Sequence, residues 1–193
     1  KTAYDLVIGD WSSDVCSSDL VHYCLNNECP GRRKAALEYF ASRTGMNIEG
    51  LGEKLVEDLY NRGYLKKITD IYYLKNYQKE LEMIEGLGEK SVQTLLDNIE
   101  NSKNNSLDKV LTSLGIRFVG GKVSKILAKK FNSLDAISKA CYEDFISIKD
   151  IGDSIATSLV MFFGKNQELI NELQELGINP IEEEKNSSEQ IFN

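Results

Sequence analysis

Ile48-Glu49-Gly50-Leu51-Gly52-Glu53-Lys54 returns unchanged, 36 residues later, as Ile84-Glu85-Gly86-Leu87-Gly88-Glu89-Lys90. Each copy runs into apolar residues at three- and four-residue spacing: Leu55, Val56, Leu59 and Tyr60 after the first, Val92, Leu95, Leu96 and Ile99 after the second. That spacing predicts a helix with one buried face, so each copy reads as a tight turn feeding an amphipathic helix. Two looser copies follow. Phe118-Val119-Gly120-Gly121-Lys122 leads into Val123, Ile126, Leu127 and Phe131, and Lys149-Asp150-Ile151-Gly152-Asp153 leads into Ile155, Leu159, Val160 and Phe163. Taking Gly50, Gly86, Gly120 and Gly152 as equivalent gives intervals of 36, 34 and 32 residues, an internal repeat of helical units.

The turn has a chemistry of its own. Glycine accepts backbone angles closed to residues with a Cβ and lets another backbone come close. Leu51, Leu87 or Ile151 in the middle can point inward and pin the turn. The outward side is then a row of amide N–H groups at a helix N-terminus, a site for one phosphate. Lys54, Lys90 and Lys122, just past the turns, would add charge-assisted contacts. The plainer alternative is a helical repeat that uses glycine only for chain reversal. Four copies favour the first reading, and the pattern resembles the helix-hairpin-helix motif, which grips the DNA backbone without reading sequence.

The net charge of −7 over 193 residues argues at first against a polyanionic partner. Residues 1–20 carry Lys1 against Asp5, Asp10, Asp14 and Asp19, and residues 181–193 carry Lys185 against four glutamates. The 160 residues between hold 21 basic and 22 acidic side chains, so the body is close to neutral and a basic surface must come from clustering. Lys122, Lys125, Lys129 and Lys130 form the clearest cluster; a solvated helix face would look the same. Hydrophobic content of 41% suffices for a core of one or two domains. With no signal segment or membrane-length apolar run, the sequence reads as cytosolic.

Asp10 to Leu20 shows neither helical nor strand periodicity and resembles the translation of a sequencing adapter. Residues 1–20 are therefore set aside as a non-native or disordered head. Cys24 and Cys29, with Pro30 after the second, look like half of a four-cysteine zinc site, with free thiols on a loop as the alternative. Residues 32–43 predict a helix with Ala36, Leu37 and Phe40 inward. Ile68, Ile71, Tyr72 and Leu74 build another apolar face, and the helix of the second unit should reach about Ser102. Ser106 and Ser133 are candidate helix caps, and Cys141 is expected to pack as a small hydrophobe. Residues 181–193 read as an acidic linker.

Cys24-x4-Cys29-Pro30, the string Met46 to Val56, and Leu114-Gly115-Ile116-Arg117-Phe118-Val119-Gly120 occur in this order. Together they resemble the carboxy-terminal half of bacterial NAD-dependent DNA ligase over residues 21–180. The resemblance implies an all-α fold: a zinc-finger remnant at 21–31, a compact domain of four helix-hairpin-helix motifs at 32–180, and a linker at 181–193 toward a BRCT domain. Cys24 and Cys29 match the third and fourth zinc ligands; the first two would fall near Leu6 and Gly9, which cannot bind zinc. In that family the enzyme passes AMP from NAD to a lysine, then to the 5′-phosphate of a nick, with a divalent metal, and seals it. The adenylating lysine and the NAD pocket lie upstream of the matching part, so the implied role here is DNA gripping without catalytic residues. The implied contacts are the amides at Gly50, Gly52, Gly86, Gly88, Gly120, Gly121 and Gly152, assisted by Lys54, Lys90, Lys122 and Arg117. The implied partner is duplex DNA, nicked, held by a monomer. A stand-alone helix-hairpin-helix module and a helical protein-interaction scaffold are the alternatives.

Overall fold

The computed structural model describes residues 30–178. Among these the chain is helical throughout: α1 (Pro30–Ala41), α2 (Glu53–Asn61), a 3-10 segment (Ile68–Tyr77), α3 (Gln78–Glu82), α4 (Glu89–Ser102), α5 (Leu107–Ser113), α6 (Gly121–Phe131), α7 (Leu134–Lys139), α8 (Tyr142–Ile146), α9 (Asp153–Lys165) and α10 (Gln167–Glu175). Four helix pairs, α1–α2, α3–α4, α5–α6 and α8–α9, each pack across one of the repeated turns. The 3-10 segment, α7 and α10 fill the spaces between pairs.

The amphipathic faces close on one continuous core. Leu37 and Phe40 of α1 join Val56 and Leu59 of α2, Val92, Leu95 and Ile99 of α4, and Leu127, Leu159 and Phe163 further on. Phe40 meets Tyr72 edge-on at 6.3 Å between ring centroids, a favoured aromatic geometry. The Tyr72 hydroxyl reaches the Ser102 hydroxyl at 3.1 Å, and burial pushes its pKa up to about 12 against that hydrogen bond.

Polar ties set the pairs against each other. Asn98 Nδ2 donates to the Glu49 carbonyl at 3.0 Å, binding the first turn to α4. Asn105 Nδ2 donates to the Met46 carbonyl at 2.8 Å. Glu172 of α10 accepts from the Thr69 hydroxyl at 2.6 Å and from Lys67 Nζ at 2.5 Å, joining the start of the 3-10 segment to α10. These two donors hold the Glu172 carboxyl below the usual carboxylate range, Lys67 contributing most.

Several local expectations need correction. Ala36 is exposed and Ala41 is buried instead, because α1 starts at Pro30 and turns Leu37, Phe40 and Ala41 inward. The apolar face at Ile68, Ile71, Tyr72 and Leu74 forms on a 3-10 segment, with Ile71, Tyr72 and Leu74 buried. Ser106 stands at the N-cap of α5, but its hydroxyl donates to Asp108 instead of capping; Ser133 does cap α7, accepting from the Ala136 amide at 3.1 Å. Cys141 is exposed. The chain turns extended at Ala140, so Cys141 becomes the N-cap of α8 and its thiol faces Asp144, whose hydrogen bond raises the thiol pKa. Cys24 and Cys29 lie outside the described residues, so the zinc half-site has no structural account here.

Candidate nucleic-acid interface

The repeated turns share one backbone path. In each, an isoleucine carbonyl accepts from the amide three residues on: Ile48 from Leu51, Ile84 from Leu87, Ile116 from Val119 and Ile148 from Ile151, at 2.9 to 3.3 Å. The residue between them has positive φ: Gly50 at 93°, Gly86 at 87°, Phe118 at 64° and Asp150 at 73°. Leu51, Val119 and Ile151 are buried and Leu87 is partly so, pinning the turns as expected. The next residue, Gly52, Gly88, Gly120 or Gly152, is the N-cap, extended, with φ between −82° and −102°. Its carbonyl accepts the first helical hydrogen bond, from Val56, Val92, Ser124 or Ala156.

This geometry moves the register of the repeat. Gly50 and Gly86 correspond to Phe118 and Asp150, whereas Gly120 and Gly152 correspond to Gly52 and Gly88. The intervals between N-caps are 36, 32 and 32 residues, not 36, 34 and 32. Gly121 is not a turn residue; it is the first residue of α6. The signal that fixes this register was in the chain: an isoleucine four positions before each N-cap glycine.

Two kinds of glycine are thereby separated. Gly50 and Gly86 sit where a Cβ is strained by the left-handed backbone. The four N-cap glycines have ordinary extended angles, and a Cβ on any of them would meet nothing within 4 Å. Their helices start with no side-chain cap hydrogen bond. A helix leaves its first amides without internal acceptors, so each turn presents exposed donors at the positive end of the helix dipole. Lys54, Lys90 and Lys122 occupy the second helical position of α2, α4 and α6, all exposed; Ser154 takes that place in α9.

The charge around the four N-caps differs. Glu53, Glu89 and Asp153 open α2, α4 and α9, while α6 has no acidic residue in its first turn. Glu49 and Glu85 precede the first two turns, but Arg117 precedes the third. In the fourth turn the Tyr142 hydroxyl donates to Asp153 at 2.6 Å, which raises the phenol pKa and occupies the carboxylate at the helix start. The third turn therefore leads to a helix start that carries Lys122 and no acidic residue, with Arg117 in the turn before it. At its tip Phe118 is 55% exposed, with the Arg117 guanidinium 4.7 Å from its ring centroid. A left-handed backbone costs an ordinary residue about 1–2 kcal/mol. Among the described residues, no group of three or more potential metal ligands comes together, and no helix is long and apolar enough to cross a membrane.

Comparison with known proteins bears on what such turns serve. Residues 45–101 match the family described as a SAM-like helix-hairpin-helix tandem, and residues 109–170 match the helix-hairpin-helix motif family. The first span holds the first two turns and the second span the other two. A DNA ligase of Fusobacterium nucleatum subsp. nucleatum is 44% identical over 157 residues, 80% of this chain and 23% of that protein. The chain is similar to part of a DNA ligase. The DNA ligase of Natranaerobius thermophilus is 44% identical over 188 residues (91% of this chain, 28% of that protein), and that of Bacillus subtilis strain 168 is 39% identical over 175 residues (86% and 26%). The chain spans about a quarter of the length of these DNA ligases, and the all-helical fold of its described residues fits a carboxy-terminal piece of one.

Proposed function

We propose that this chain is the DNA-gripping part of an NAD-dependent DNA ligase, holding the phosphate backbone of nicked duplex through its repeated turns. The observation that carries the reading is the set of N-cap glycines, Gly52, Gly88, Gly120 and Gly152, whose Cβ positions are open and whose φ angles suit any residue. The fold does not require glycine there. A phosphate drawn onto the helix-start amides does, because a side chain at the N-cap would stand between donor and anion. Such contacts position a protein on the duplex without reading bases.

On this reading the amides at Gly50, Gly52, Gly86, Gly88, Gly120, Gly121 and Gly152 form the contact row, with Lys54, Lys90, Lys122 and Arg117 beside it. NAD, the divalent metal and the adenylating lysine belong to the rest of the enzyme, so the chain acts as a cytoplasmic monomer without sealing nicks itself. Cys24 and Cys29 match only two of four zinc ligands, so the chain as written binds zinc weakly or not at all; stoichiometric zinc in the purified chain would contradict that. The test of the gripping role is binding of the 193-residue chain to intact, nicked and single-stranded DNA across a salt series. Each neutralised phosphate contributes roughly −0.9 to the slope of log K against log salt for duplex. A slope of several units with duplex preference is expected; no binding at low salt would reject the reading.

A further inference from the structure

The position that takes glycine in the first two turns, at Gly50 and Gly86, takes Phe118 in the third, with φ 64°. A bulky side chain with positive φ is an outlier that persists where something offsets it. Burial does not: the ring is 55% exposed. The Arg117 guanidinium lies 4.7 Å from the ring centroid, which joins an exposed apolar plate to a cation at the turn. That tip belongs to the turn whose helix has no acidic residue in its first turn and carries Lys122 there, with Lys129 and Lys130 in its last turn. An exposed aromatic ring beside a guanidinium, at the turn that leads to Lys122, is complementary to a nucleotide, with the ring for a base or sugar face and the cations for flanking phosphates.

We propose that Phe118, backed by Arg117, stacks on the base or sugar exposed where a duplex is interrupted, and so gives the third turn a preference for broken over continuous DNA. The inference rests on the backbone-gripping role proposed above and adds a residue that recognises the state of the duplex. In an intact duplex every base face is covered by its neighbours, so the ring finds no partner. At a nick or a one-nucleotide gap the step opens at low cost and one face becomes available.

The experiment compares the full chain with Phe118→Asn and Phe118→Trp on intact, nicked and one-nucleotide-gapped duplexes of one sequence. Asparagine tolerates the left-handed backbone, so the turn keeps its shape without the ring; tryptophan keeps a stacking face. Loss of one stacked base is expected to weaken nicked and gapped binding about tenfold in F118N. Intact-duplex binding and the salt slope should stay unchanged, and F118W should bind as the parent does. A 2-aminopurine at the break should respond to the parent and F118W but not to F118N. Equal loss on all three duplexes, or no loss on any, would overturn the stacking role while leaving the gripping role in place. Failure of the parent itself to bind DNA would reject the gripping role and this inference with it.

Discussion

The turns at Ile84–Gly88 and Ile116–Gly120 follow the same backbone path with different side chains. Both close on an isoleucine carbonyl, pass through a positive φ and start a helix at an extended glycine. The second has Gly86 at the strained position and glutamates at 85 and 89; the third has Phe118 there, Arg117 before it and no carboxylate in the helix start. The features held in common are those a helix start needs to accept a phosphate. The features that vary set how strongly the site attracts one and what else it touches. Glu89 puts a negative charge at that helix start, so the second turn is expected to attract an anion less strongly than the third.

The largest effect that would test this contrast is steric. Gly120→Val keeps an allowed backbone and open space within the protein, yet covers the amides of α6. Losing a hydrogen bond to a charged group should weaken duplex binding about ten- to a hundredfold, with helical circular dichroism intact. Gly88→Val should weaken it less, and equal losses would remove the distinction between the two turns. Next in size is backbone strain. Gly86→Ala, at φ 87°, should destabilise the fold by about 1–2 kcal/mol in urea unfolding, whereas Gly88→Ala, at φ −83°, should cost less than about 1 kcal/mol. Reversal of that order would refute the shifted register.

Charge should give smaller changes. Lys122→Gln is expected to reduce the salt slope by about 0.9, and Lys90→Gln by less, because Glu85 and Glu89 already offset that lysine. The smallest effect concerns how the halves holding these turns are joined. Glu172, tied to Lys67 and Thr69, has a depressed pKa, so its contribution is present above the ordinary carboxylate value of 4.5 and is lost as pH falls through the folded value. Glu172→Gln should cost about 1 kcal/mol or less at neutral pH and flatten the acid limb of stability. An unchanged acid limb would mean the tie carries no such linkage.

Much of this was legible in the chain. The seven-residue copies and the apolar spacing behind them gave the helices, and Leu51, Val56, Leu59, Val92, Leu95 and Ile99 are buried as the spacing required. The turn glycines of the first two units were also legible, because two identical copies display every position of the turn. The degenerate copies were aligned on the wrong glycine, since Gly120 and Gly121 invited matching to the strained position that Phe118 in fact occupies. Cys141 was misplaced for a related reason: helical periodicity cannot show that Ala140 leaves the helix.

Composition and periodicity by themselves determined a helical body and its repeat, because helix formation and turn chemistry depend on neighbours within a few positions. Only the tertiary structure decided which glycines the fold needs and which it merely permits. That distinction depends on φ at each turn and on whether a Cβ would find space, both set when the helix pairs close on the common core. The exposure of Phe118 belongs to the same class: a phenylalanine reads as core from sequence, and the left-handed turn is what turns it outward.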